Sequence, residues 1–130
     1  YTTYTRLAHA RGYSLLEAVG WLNLALIALG HSDLPRADLH ARRASQAMAN
    51  QPRSWVWMYV GLIRAAAAAA KADEERANQW WALAVGHGMK SLRSPDLWLP
   101  LSIVAEASKK HGWESLEEQS WALLATVKRA

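Results

Sequence analysis

The chain has 130 residues, enough for one domain with its own core, and its lack of cysteine excludes disulfides, thiolate nucleophiles and cysteine-held zinc. Fifteen Lys and Arg against eleven Asp and Glu leave a formal charge of +4, a balance that on its own favours acidic partners. No uncharged apolar run reaches the ~20 residues that span a bilayer, so no membrane insertion is expected, and the missing cysteines point to a cytoplasmic protein.

The opening Tyr1-Thr2-Thr3-Tyr4-Thr5-Arg6 has neither an initiator methionine nor a signal layout, and is expected to be a cut made inside a longer chain. Ser14 with Glu17 forms a capping-box pattern, and the helix it opens runs to Gly30. Asp33 before Leu34-Pro35 opens a second helix that ends near Asn50-Gln51-Pro52. Ser54 opens a third, through the alanine run to Lys71, and Asp73 a fourth, stopped by Gly86 and Gly88. Ser94-Pro95 opens a fifth, ending at His111-Gly112, and a sixth starts near Glu114, with Ser115 and Glu118 as another capping box. No alternating stretch is long enough for a strand. The class is therefore all-α.

Asp73, Glu74 and Glu75 fall at a helix start, and Lys109, Lys110, His111, Lys128 and Arg129 at helix ends, where each complements the helix dipole. Alanine, abundant here, has the best helix propensity and lets helices approach closely. Eight tryptophans with no phenylalanine supply the large gap-fillers.

A shift of 40 residues superimposes the helix boundaries. It aligns Ala25, Ala65 and Ala105; Ala28, Ala68 and Ser108; Ala37, Ala77 and Glu117; Ala41, Trp81 and Trp121; and Ala44, Ala84 and Leu124. Tyr1, Tyr4 and Leu7 stand 40 before Ala41, Ala44 and Ala47, so residues 1–12 read as the tail of a preceding repeat. Three units follow, at 14–51, 54–90 and 94–130, in a single domain.

The small residues Ala25, Ala37, Ala41 and Ala44, then Ala65, Ala77, Trp81 and Ala84, with Trp21-Leu22-Asn23-Leu24-Ala25 before the turn Gly30-His31-Ser32-Asp33, resemble the tetratricopeptide repeat. The long 40-residue unit is similar to the repeats of MalT-like bacterial regulators, and Glu117 departs from the pattern in the third unit. The resemblance implies antiparallel helical hairpins stacked as a right-handed superhelix, with the first helix of each pair lining a concave groove. Carried over, the groove positions are Val19, Leu22, Leu26 and Leu29; Tyr59, Leu62, Ala66 and Ala69; and Ser102, Glu106 and Lys109. Replacing Ala25 or Ala77 with a large side chain is expected to overpack a helix crossing.

No catalytic pattern stands out. Gly86-His87-Gly88-Met89-Lys90-Ser91 lacks the glycine spacing of a phosphate loop and follows a helix, where that loop follows a strand. The histidines His9, His31, His40, His87 and His111 show no metal-ligating pair at helical spacing. Arg36, His40 and Arg43 make a basic stripe diluted by Asp33 and Asp38, which suits a solvated face better than a nucleic-acid surface. Trp81 and Trp121 are expected in the core, as is each of Trp55, Trp57, Trp98 and Trp113, with one or two of these four serving as exposed anchors.

No enzyme activity, cofactor or metal is expected. The reading is a protein-interaction scaffold, one helical-repeat piece of a bacterial signalling or regulatory protein, holding a partner peptide or helix in its groove. The first helix is apolar nearly all round, so adjacent repeats or a second copy of the chain are the competing occupants. The alternative function is a small-ligand sensor attached to an effector domain.

Overall fold

The computed structural model describes residues 14–49, 54–89 and 94–128, and among them every regular element is helical. The helices are α1 (Ser14–Gly30), α2 (Leu34–Ala47), α3 (Ser54–Ala70), α4 (Glu74–Gly86), α5 (Trp98–His111) and α6 (Glu114–Lys128). No helix of the described residues is long and apolar enough to cross a membrane. The expected tail of a preceding repeat, at 1–12, lies outside the described residues, as do His9, Lys90, Ser91 and Arg129.

One turn design closes each hairpin. Ser32, Ala72 and Gly112 all adopt the left-handed conformation, with φ of 59°, 63° and 72°. The amide after each donates back to the carbonyl five residues earlier, Asp33 to Ala28, Asp73 to Ala68 and Trp113 to Ser108, each at 2.9 Å. This is the Schellman arrangement, which satisfies carbonyls that a helix end leaves unpaired. The residue after the left-handed one then starts the next helix. Asp33 Oδ1 accepts from the Arg36 amide at 3.3 Å and Asp73 Oδ1 from the Arg76 amide at 3.2 Å. Trp113 stands at the third such position, and lacking a polar cap it is buried instead, stacked on His111 with centroids 5.2 Å apart.

Consecutive helices pair as α1 with α2, α3 with α4, and α5 with α6, and α3 lies in the middle of the assembly. Ala25, Ala65 and Ala105 are fully buried, as are Ala37, Ala77, Ala44 and Ala84. At Gly61 the second hairpin closes onto backbone: an added β-carbon would stand 2.9 Å from both the Trp80 carbonyl oxygen and the Ala84 nitrogen. Hairpins one and two are pinned by Arg64 of α3. Its Nε donates to Asp38 Oδ1 at 2.9 Å, and its guanidinium lies 4.0 Å over the Trp80 ring.

The two junctions between hairpins differ. At the first, α3 packs along both α2 and α1; at the second, α5 packs on α3 and reaches α1, while α4 scarcely approaches it. A side-chain exchange at one repeat position accounts for this. Ala41 leaves α2 flat enough for α3 to lie against it, whereas the indole of Trp81 occupies that space on α4 and donates from Nε1 to Gln119 Oε1 of α6 at 3.0 Å.

Several expectations are corrected here. Trp121 is not core: at 42% exposed it differs from Trp81, which α6 covers, because no further hairpin follows it among the described residues. Of the four tryptophans among which one or two exposed anchors are expected, Trp55 and Trp98 are exposed, while Trp113 is buried. The fifth helix begins later than Ser94-Pro95, since Pro95–Leu97 forms a 3-10 turn without a side-chain cap. Ser115 lies inside α6 and does not cap it; its hydroxyl accepts from Gln119 Nε2 at 3.1 Å.

Candidate functional site

α1 turns Val19, Leu22, Asn23 and Leu26 to one side, because residues three and four apart share a helix face. The first turns of α3 bring Trp55 and Tyr59 opposite, and the 3-10 turn supplies Asp96. Together these residues line a cleft of about 310 Å³. Trp55 is 39% exposed and meets Tyr59 edge to face, with centroids 6.4 Å apart and planes at 89°. The Tyr59 hydroxyl donates to Asp96 Oδ1 at 2.6 Å. Burial, and then this bond to a carboxylate, push the Tyr59 phenol up to about 12.

The groove residues carried over from the repeat pattern fall into three groups. Val19, Leu22, Leu26 and Tyr59 line the cleft. Leu62, Ala66 and Ala69 are buried, since α3 is packed by α1, α2, α4 and α5, and Leu29 of α1 is buried in the same core. Ser102 is buried too, its hydroxyl turned onto the Leu99 carbonyl at 2.8 Å. Glu106 and Lys109 are exposed on α5 and do not line the cleft. Leu22 is only 5% exposed, so a charge placed there strikes the core as well as the cleft wall.

Trp55, Asn23 and Asp96 are cleft residues that the repeat register did not pick out. The spacing of Trp55 and Tyr59, four apart on one helix face, was the available signal for the first. Nothing local marks Asp96, because its place depends on how the third hairpin docks.

The basic stripe of α2 is a solvated face, with Arg36 and Arg43 exposed and held by surface contacts. Arg36 pairs with Asp33 at 3.5 Å, the Arg43 guanidinium sits 4.8 Å over the Trp21 ring, and His40 stacks on Trp21 at 5.4 Å. Burial, then Arg43 and Arg36, hold the His40 pKa below its ordinary value. A smaller recess around Arg64 contains Asp38, Asp73, Lys71 and Arg76, whose charges oppose one another. Among the described residues no three His, Cys, Asp or Glu side chains gather as a metal site would require. No family model, curated protein or solved structure matches this chain.

Proposed function

We infer that the chain is a protein-interaction scaffold, a tetratricopeptide-like stack of helical hairpins belonging to a larger signalling or regulatory protein, which holds an amphipathic segment of a partner. The observation that carries this reading is the open cleft between α1 and α3, apolar along Val19, Leu22 and Leu26 and fronted by the exposed Trp55. Apolar residues at helical spacing match the anchors of a docked helix, and exposed tryptophan is a recurrent interface anchor. Tyr59, held protonated well above neutral pH, and one exposed carboxylate make no acid–base couple suited to catalysis near pH 7. Binding is the chemistry these groups supply.

A second reading, a small-ligand sensor, draws support from the cleft volume of about 310 Å³, which falls at the lower end of the range for small-molecule sites. A photo-crosslinking residue in place of Leu26 separates the two. Under the scaffold reading it captures protein in a cell extract, and Trp55→Ala abolishes capture with the helical circular dichroism intact. A crosslinker at exposed Glu118 of α6 is the control. Equal capture from both positions, or thermal stabilisation by a metabolite with no protein capture, overturns the scaffold reading.

A further inference from the structure

The cleft reverses the sign of the chain around it. The protein is formally +4, yet Asp96 is the one charged group among the described residues lining the cleft. Its carboxylate is held by the Tyr59 hydroxyl at 2.6 Å. Beside it stand the Trp55 and Tyr59 rings at 89°, one of them substantially open to solvent. Aromatic faces attract cations, and a carboxylate next to them adds a charge-assisted hydrogen-bond acceptor.

The protein already grips a cation in this manner elsewhere. Arg64 is held between the Trp80 ring, 4.0 Å from its guanidinium carbon, and the Asp38 carboxylate at 2.9 Å. The cleft offers the same pair of groups, an indole and a carboxylate, with an apolar wall leading to them. A hydrocarbon stem ending in a cation fits that combination, as lysine and arginine do when their stems lie on apolar surface.

We propose that the cleft takes a lysine or arginine side chain from an amphipathic segment of a protein partner, its stem along Val19 and Leu26 and its cationic head between Asp96 and the Trp55 ring. This rests on the scaffold reading and adds the chemistry of the anchor. The apolar stripe from Val19 to Leu26 covers two helical turns, about 10 Å at 1.5 Å per residue. That is longer than one such stem, so a neighbouring apolar residue of the same segment also finds a seat. A free amine would leave it empty.

Selection of displayed random dodecapeptides on the full chain tests the proposal. Enriched peptides are expected to carry Lys or Arg near an apolar residue at helical spacing. Asp96→Asn should weaken them roughly fivefold, the upper worth of an exposed ion pair. The same change should leave an analogue with Leu in place of the basic residue within roughly twofold. If Asp96→Asn alters the circular dichroism, Trp55→Leu serves for the same comparison.

Peptides that lose binding with Leu26→Glu but have no basic anchor, or are indifferent to both Asp96→Asn and Trp55→Leu, overturn the anchor and leave the scaffold reading standing. No selected peptides, or binding indifferent to Leu26→Glu, removes the scaffold reading and the anchor together. Saturable binding of n-butylammonium as tight as that of the peptides identifies a small amine as the occupant and also overturns the proposal.

Discussion

Ser32 and Ala72, forty residues apart, hold the same left-handed backbone at φ 59° and 63°, and the amides of their successors close the same bond at 2.9 Å. Neither is glycine, which stands at the third such place, Gly112. A β-carbon in this region costs about 1–2 kcal/mol, partly offset because glycine gives the unfolded chain more freedom. Ala72→Gly should therefore stabilise the protein by roughly 0.5–1 kcal/mol, and Gly112→Ala should destabilise it by about 1 kcal/mol. Urea midpoints at constant slope check both.

Gly61 should tolerate no side chain. Its missing β-carbon would stand 2.9 Å from backbone atoms of α4, which cannot move without separating the hairpin. Gly61→Ala is expected to cost about 1–3 kcal/mol through overpacking, although alanine is the better helix former. Gly86→Ala, where nothing lies within 4 Å of the new methyl, is the control and should be neutral or mildly stabilising in thermal unfolding.

Arg64 is not replaceable by lysine. Lysine lacks the planar Nε–H donor that meets Asp38 and the flat guanidinium that covers Trp80. With the two side chains only 15% and 29% exposed, Arg64→Lys should cost about 1 kcal/mol, read from chemical denaturation. Asp38→Asn combined with Arg64→Lys should cost less than the sum of the two alone.

Tyr59 should leave a signature in alkali. Its folded-state pKa, about 12, lies above the ordinary 10.0, so between these values the unfolded chain has already lost a proton that the folded one keeps. The stability this contributes is complete below about pH 10 and disappears as pH rises through 12. Difference absorbance between the wild type and Tyr59→Phe should show one phenol ionising late. Ionisation with the other tyrosines would contradict the bond to Asp96.

His40 acts at the other end of the scale. Its folded-state pKa is lowered, first by burial and then by Arg43 and Arg36, while the unfolded chain takes up a proton at the ordinary value of 6.5. The contribution is present above that value and is lost as pH falls below it. His40→Gln should flatten the stability profile between pH 5 and 7 in urea titrations, and an unchanged slope would remove His40 as the cause.

The hairpins were legible because their signals are local. Asp33 and Asp73 cap within three residues, and the buried alanines at 25, 65 and 105 recur at the 40-residue spacing of the hairpins. The docking of the third hairpin was not legible. It depends on the size of one side chain, Trp81 where Ala41 stands a repeat earlier, and periodicity records that a position is apolar without recording how far it pushes a neighbour away. The cleft inherits this gap. Val19, Leu22, Leu26 and Tyr59 follow from helix faces, but Asp96 arrives only with the third hairpin.

The placing of α3 bears on how the protein comes apart. An open stack of repeats frays from its ends, each unit leaving at the expense of one interface. Here the outer pairs share a single buried rod, and α1 also touches α5 beyond it, so neither end can peel away without baring the alanine run from Ala65 to Ala69. Amide protons along that rod should exchange only in the global opening, and the chain should melt as one unit instead of unzipping.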